Sequence, residues 1–216
     1  MNVYVSVGVY NAQQEEFVKN VEERLRVEGL VPQTVGRNVF TADSPFLAVN
    51  ELMDKCRGVV VIALERLHIE TGVEKDGGPG KAPLRDVKVC TPWNHIEASL
   101  GYARRLPLLV IVQDGVRADG FLERTLGRNV QTVTLDKAAL NSAQFNGVLA
   151  SWKEKLAAAP AAAPALAKAA ETALDVEKLT IGELLGKLKP GHLRATVGGA
   201  VAALAGAFAL GAKLFP

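Results

Sequence analysis

Residues 91–112 read TPWNHIEASLGYARRLPLLVIV, and this stretch decides the fold. Thr91 followed by Pro92 is a helix start: a hydroxyl that caps, then a proline whose fixed φ suits the first helical position. The helix is expected to run to about Arg104, with Arg104 and Arg105 favouring its negative pole. Residues 107–112, PLLVIV, are a continuous apolar run of strand length. Such a run is expected of a parallel strand buried on both faces. A helix feeding straight into a strand of this kind belongs to a parallel α/β sheet.

Working outward, residues 59–64, VVVIAL, form a second run of the same type. Upstream, residues 2–7, NVYVSV, alternate and predict a strand broken by Gly8. Phe17, Val18, Val21 and Leu25 recur at helical spacing, so residues 11–28 predict a helix that stops at Gly29. A weaker strand over 30–35 ends at Gly36-Arg37. Ser44-Pro45 repeats the cap-plus-proline start and opens a helix to about Cys56. A strand near 130–135 and a helix near 141–156 complete a domain over residues 1–156. Residues 65–90 are polar and contain glycines, and are expected to be a long loop, either a functional lid or disordered. Ligands of parallel sheets bind at the carboxyl ends of the strands. Ser6–Gly8, Gly36-Arg37, Glu65-Arg66 and Gln113-Asp114 fall at those ends, as does the helix start at Thr91.

Composition narrows the function. Apolar residues make up 49% of the 216, enough for a core. Residues 1–156 carry 19 Lys+Arg and 19 Asp+Glu, so the domain is neutral. That argues against double-stranded nucleic acid as the main ligand, which needs clustered basic charge. Cys56 and Cys90 fit no metal spacing and suit a reducing compartment. His68, His95 and His192 show no zinc spacing. No metal and no cofactor is expected. The chain opens on a strand pattern, without a signal-peptide pattern. The run Gly77-Gly-Pro-Gly80-Lys81 does not fit the phosphate-loop spacing, and Ser6-Val-Gly8 is not a dinucleotide fingerprint.

The C-terminal quarter changes character. Residues 157–175 are an Ala/Pro-rich linker. Residues 176–190 form an amphipathic juxtamembrane helix, opened by a capping box from Thr180 to Glu183. Residues 195–212 carry no charge and are bracketed by Arg194 and Lys213. A membrane-spanning helix over 194–215 is therefore expected, the alternative being a buried core helix. Small residues recur four apart, as at Ala195, Gly199, Ala203 and Ala207, which suits close helix approach in a homo-oligomer. Lys187, Lys189 and Arg194 precede the span and Lys213 alone follows it. The expected placement is single-pass in the inner membrane, in contact with lipid, with the N-terminal domain cytoplasmic.

Glu97 lies about one and a half turns into the helix that Thr91 opens. Beside Ala98, and three to four residues before Leu100 and Gly101, its carboxylate approaches the inward face. There it would be desolvated, with a raised pKa, and a candidate nucleophile or hydroxyl acceptor. The alternative is a solvated glutamate near the positive end of the helix.

The run Trp93-Asn94-x-Ile96-Glu97-Ala98, followed by Ala103 and Pro107-Leu-Leu-Val, resembles the glutamate helix and following strand of the nucleoside 2-deoxyribosyltransferase and Toll/interleukin-1 receptor (TIR)-like superfamily. The resemblance covers about residues 1–135. It implies a flavodoxin-like (TIR-like) α/β fold, a parallel sheet of about five strands with helices on both faces. It also implies a nucleotide, nucleoside or NAD ligand whose ribose meets Glu97, as nucleophile or as partner of the ribose hydroxyls. Ser6, Gly8 and Arg37 would border the pocket, and Trp93, next to Asn94, would stack on a base. Glu65, Arg66 and Gln113, at strand ends, are further ligand candidates; an exposed ion pair is the alternative for Glu65-Arg66. The first strand departs from the TIR pattern by ending Ser6-Val-Gly-Val-Tyr10. TIR-like domains joined to membrane helices resemble anti-phage defence effectors. Three readings stay open: an enzyme cleaving or exchanging an N-glycosidic bond, a nucleotide sensor whose C-terminal helices perturb the membrane, and a tail-anchored scaffold.

Overall fold

The computed structural model describes residues 1–123 and 129–158. Five strands form one parallel sheet: β1 (Asn2–Val7), β2 (Val31–Gln33), β3 (Val59–Ala63), β6 (Leu108–Gln113) and β7 (Asn129–Val133). Their spatial order is β2-β1-β3-β6-β7. A separate two-stranded antiparallel ribbon, β4 (Leu67–Glu74) and β5 (Ala82–Val89), is inserted after β3. The α-helices of the described chain are α1 (Ala12–Val27), α2 (Pro45–Met53), α3 (Pro92–Ala103) and α4 (Ala143–Ala158), with short 3-10 turns at Gly120–Leu122 and Ala139–Asn141. The arrangement is an α/β flavodoxin-like sheet with helices on both faces.

Strand pleating sorts the side chains into two cores. Val3, Val5, Val60, Ile62, Leu109 and Ile111 face α1 and α4 and meet Phe17, Val21, Phe145 and Trp152. Tyr4, Val59, Val61, Ala63, Val110 and Val112 face α2 and α3 and meet Val49, Met53 and Ala98. All five residues of β3 are buried, as the unbroken apolar run requires of a strand covered on both sides. The register pairs Ser6 with Val61 and Val61 with Val110, so the ends of β1, β3 and β6 lie side by side.

Local signals set the helix ends. The Asn11 side chain accepts from the Gln14 amide at 2.9 Å, and Ser44 and Thr91 accept from Leu47 and Trp93, both at 3.4 Å. Gly29 follows α1 with φ of 78°, a conformation glycine adopts without a Cβ penalty. Arg104 does more than end α3: its buried guanidinium reaches Asp54 at 2.9 Å and Asn50 at 2.6 Å, tying α3 to α2.

The expected loop over 65–90 is instead the β4–β5 ribbon. Leu67, Ile69, Thr71 and Val73 alternate, but both strands are largely exposed, so no buried face marks them in the sequence. The glycine-rich run 77–81 lies in its turn, where Gly77 and Gly80 have φ of 75° and 91°. Arg117 fastens the ribbon by pairing with Glu74 and Asp119, both at 2.7 Å. The linker, juxtamembrane helix and spanning helix expected over 157–215 lie outside the described residues, apart from the end of α4. Among the described residues no helix is long and apolar enough to cross a membrane.

Gly101 brings α3 against the sheet. A Cβ there would lie 2.7 Å from Val59 Cγ2 and 3.1 Å from Leu108 Cδ2, whereas one at Gly147 in α4 would meet nothing within 4 Å. The same substitution should therefore act with opposite sign in the two helices. Gly147→Ala is expected to stabilise the fold by about 0.5–1 kcal/mol in urea unfolding, through helix propensity alone. Gly101→Ala is expected to lower stability by roughly 1–2 kcal/mol, because a β-branched core neighbour must shift.

Candidate functional site

In an order such as β2-β1-β3-β6-β7 the chain runs outward from β1 in one direction and from β3 in the other. The crevice between their carboxyl ends is the topological switch point at which such sheets bind ligands. A cleft of about 220 Å³ lies there, and the residues lining it include Gly8, Tyr10, Arg66, Trp93, Asn94 and Glu97. Small-ligand pockets commonly span about 300–1,000 Å³, so this one encloses a fragment such as a sugar and leaves the rest of a larger ligand at the mouth. A larger, open hollow of about 710 Å³ sits at the amino end of β6, beside Tyr102, Arg105 and Lys155. No buried titratable side chain lines that hollow, so the cleft is the better candidate.

The inner stripe of α3 is Asn94, Glu97, Ala98 and Gly101, at i, i+3, i+4 and i+7. Trp93 and Ile96, which precede Asn94 and Glu97, are 38% and 40% exposed. Glu97 is therefore turned inward, 8% exposed, against the Tyr4 and Ser6 face of β1. The Tyr4 hydroxyl donates to Glu97 Oε1 at 2.7 Å, and the Ser6 hydroxyl also favours the charged form of Glu97. Asn94 Nδ2 lies 3.0 Å from Ser6 Oγ, 3.3 Å from Ser6 O and 3.4 Å from Ile62 O. Its Oδ1 is buried without a partner among the described residues. The floor of the cleft thus combines a carboxylate with a spare amide acceptor.

Burial pushes the Glu97 carboxyl above its ordinary value, and the Ser6 and Tyr4 hydrogen bonds pull in the opposite direction. Tyr4 is pushed up as well, first by burial and then by the neighbouring Glu97 charge. These are the electrostatics of a desolvated acid that accepts from the Tyr4 hydroxyl, which a solvated surface glutamate would not show.

The other sequence candidates distribute unevenly. Gly8, Arg66, Trp93 and Asn94 line the cleft with Glu97. Ser6 is fully buried and its Oγ accepts from Asn94 Nδ2. Arg37 is not at the cleft: its guanidinium pairs with Glu22 at 2.6 Å and Glu15 at 2.8 Å on α1. Glu65 pairs with Lys88 at 3.0 Å. Gln113 Oε1 accepts from the Glu65 amide at 2.9 Å, bracing the end of β3. Sequence reasoning missed Tyr4 and Tyr10. The signal for Tyr4 was available: Tyr4 and Ser6 share one face of an otherwise apolar strand, and a buried tyrosine hydroxyl needs a partner.

Cys90 Sγ lies 3.7 Å from His95 Nε2, and burial pushes both the Cys90 and Cys56 thiols up, Cys56 to about 12. Both thiols are free, and this shift makes them poor nucleophiles. Among the described residues no group of three or more His, Cys, Asp or Glu side chains is placed to hold a metal ion.

Solved structures similar to the chain include two of low identity. The Clostridium botulinum CMP N-glycosidase BcmB is 13% identical, with 65% of this chain and 97% of that chain covered and a TM-score of 0.41. The TIR domains of the activated Roq1 resistosome, which directly recognises the pathogen effector XopQ, are 14% identical, with 72% and 80% covered and a TM-score of 0.35. No protein-family model and no curated protein matches the chain.

The raised Glu97 carboxyl has a consequence for stability. A group whose folded pKa is raised stabilises the fold below its unfolded pKa, and that contribution is lost as pH rises through the folded value. Glu97→Gln is therefore expected to have a higher melting temperature than wild type at pH 8. The gap should close on acidification, as wild type takes up its proton. A variant less stable than wild type at every pH contradicts this electrostatic reading.

Proposed function

We propose that the N-terminal domain binds a nucleotide-like ligand in the cleft at the switch point and cleaves or exchanges its N-glycosidic bond, with Glu97 as the catalytic residue. The observation that carries this reading is the desolvated carboxylate held by Tyr4 on the floor of the cleft. Acceptor groups at a desolvated floor favour a ligand that brings hydroxyl donors, as a sugar does. Trp93, partly exposed at the mouth, offers a face on which a base can stack.

In the reaction the C1′–N bond breaks and its electron pair leaves with the base. Positive charge develops on the sugar carbon, and the Glu97 carboxylate stabilises it where little water screens the interaction. The carbon is then captured by water, giving hydrolysis, or by the carboxylate oxygen, giving a ribosyl-enzyme that passes the sugar to a second base. Tyr4 and Ser6 are positioning residues: their hydroxyls hold the deprotonated form of Glu97 against the burial that opposes it.

Full-length protein is expected to release free base from a panel of nucleosides, nucleotides and NAD, read by chromatography. Glu97→Gln should reduce kcat/KM by about 10²-fold or more, the scale of losing a preorganised charge. Unchanged turnover would remove Glu97 from the reaction. Tyr4→Phe deletes a donor to the carboxylate, so the Glu97 pKa rises further and the acidic limb of the pH–rate profile moves to higher pH. A limb that stays in place assigns the profile to another group.

Attachment to a membrane is part of the same proposal. It is supported by the uncharged run 195–212 and its basic flank, residues outside the described part. In this reading the catalytic domain works at the cytoplasmic face of the inner membrane, and the small-residue stripe assembles copies of the chain, as the resemblance to defence effectors suggests. Full-length protein should sediment with membranes and resist alkaline carbonate extraction. Release by carbonate contradicts a spanning tail.

A further inference from the structure

The mouth of the cleft carries a cation that no carboxylate neutralises among the described residues. Arg66 follows β3, and its backbone amide donates to Val89 O at 2.9 Å, fixing it to the base of the ribbon. Its Nη1 donates to Thr91 Oγ1 at 3.2 Å, and its Cζ lies 5.4 Å from the centre of the Tyr10 ring. Tyr10 is fixed in turn. Its amide donates to Gln14 Oε1 at 2.9 Å, and Gln14 Nε2 donates to Glu65 O at 2.8 Å. The guanidinium is therefore seated from two sides, yet remains exposed to the cleft.

Arg66 is the arginine that lines the cleft, and no ion pair engages it among the described residues. Arg24, Arg37, Arg104 and Arg117 each meet a carboxylate. Glu65, next in sequence to Arg66, is paired with Lys88. Glu97, the other charged group lining the cleft, is held on Tyr4 at the floor. A guanidinium presents five N–H donors in a planar fork, and Thr91 takes one. What remains matches two oxygens of a phosphate. The first turn of α3, capped by the same Thr91, adds its positive pole on the same side.

We propose that Arg66 binds a phosphate of the ligand, so that the site takes phosphorylated nucleosides in preference to free nucleosides. This inference rests on the nucleotide reading of the cleft and names its substrate class. The sugar sits over Glu97 and Asn94, and the phosphate stays at the mouth, where Arg66 is preorganised by Tyr10 and Thr91. The phosphate belongs either to a 5′-monoester or to the pyrophosphate of a dinucleotide.

The test is calorimetry on the full chain with three sets of probes: ribonucleosides, their 5′-monophosphates, and NAD. Wild type is expected to bind at least one phosphorylated probe about tenfold or more tightly than the matching nucleoside, the scale of a charge-assisted bidentate contact. Arg66→Ala should abolish that preference, bringing the affinity for the phosphorylated probe down to that of the matching nucleoside. Arg66→Lys, which keeps the charge and loses the fork, should restore part of it. Preference for monophosphates identifies the ester, and preference for NAD alone identifies the pyrophosphate. Equal affinity for nucleosides and phosphates, or a preference that survives Arg66→Ala, overturns the inference and leaves the catalytic role of Glu97 standing. Arg66-dependent phosphate binding without base release supports the inference and removes the catalytic reading. Failure of every probe to bind overturns both. Arg66 is exposed, and unchanged circular dichroism checks that the variants fold.

Discussion

The carboxylate of Glu97 is buried between the first turns of α3 and the strand β1, where water does not solvate it. Taking a carboxyl out of water is tolerated only where hydrogen bonds hold it, and here the Tyr4 hydroxyl does so from the neighbouring strand, with Ser6 also favouring the charged form. Much of the surrounding architecture serves this contact. β1 must present Tyr4 and Ser6 on the face toward α3. α3 must lie close enough for its stripe of Asn94, Glu97, Ala98 and Gly101 to reach that face. Gly101 permits the close approach, and Arg104 fixes the far end of the helix to α2. Asn94 joins the two elements through Ser6 and Ile62.

The fold explains why the contact stands at an open cleft. The order β2-β1-β3-β6-β7 sends the chain to opposite sides at β1 and β3, so a crevice opens above their carboxyl ends. The β4–β5 ribbon enters the chain between β3 and α3. Its base carries Arg66, and the ribbon returns the chain to Thr91, the cap of α3. The floor with Glu97 and Asn94 and the mouth with Arg66 are thus supplied by neighbouring pieces of one connection. The buried acid at the floor opposes folding at the pH where it is charged.

Much of this was legible in the sequence. The runs 59–64 and 107–112 announce strands covered on both faces, and Ser44-Pro45 and Thr91-Pro92 mark helix starts. The inward turn of Glu97 follows from helical spacing, although spacing left a solvated alternative open, and Tyr4 and Ser6 settle its environment. The β4–β5 ribbon was not legible because neither of its faces is buried, and alternation carries no information where both sides meet water. Arg37 follows the short strand β2 as expected, yet its charge is drawn to Glu15 and Glu22 on α1, a partnership between residues far apart in sequence. Arg66 read equally well as half of an ion pair; Lys88, from the opposite strand of the ribbon, takes Glu65 and leaves Arg66 to the cleft. In each case the deciding information is which elements the topology brings together.

The desolvated acid is the central claim, and carbon-13 NMR titration of the Glu97 carboxyl, assigned through Glu97→Gln, measures it directly. The account predicts a midpoint above the ordinary glutamate value of about 4.3, and a further rise in Tyr4→Phe. A midpoint at or below that value, unmoved by Tyr4→Phe, would place the carboxylate in water and contradict the account.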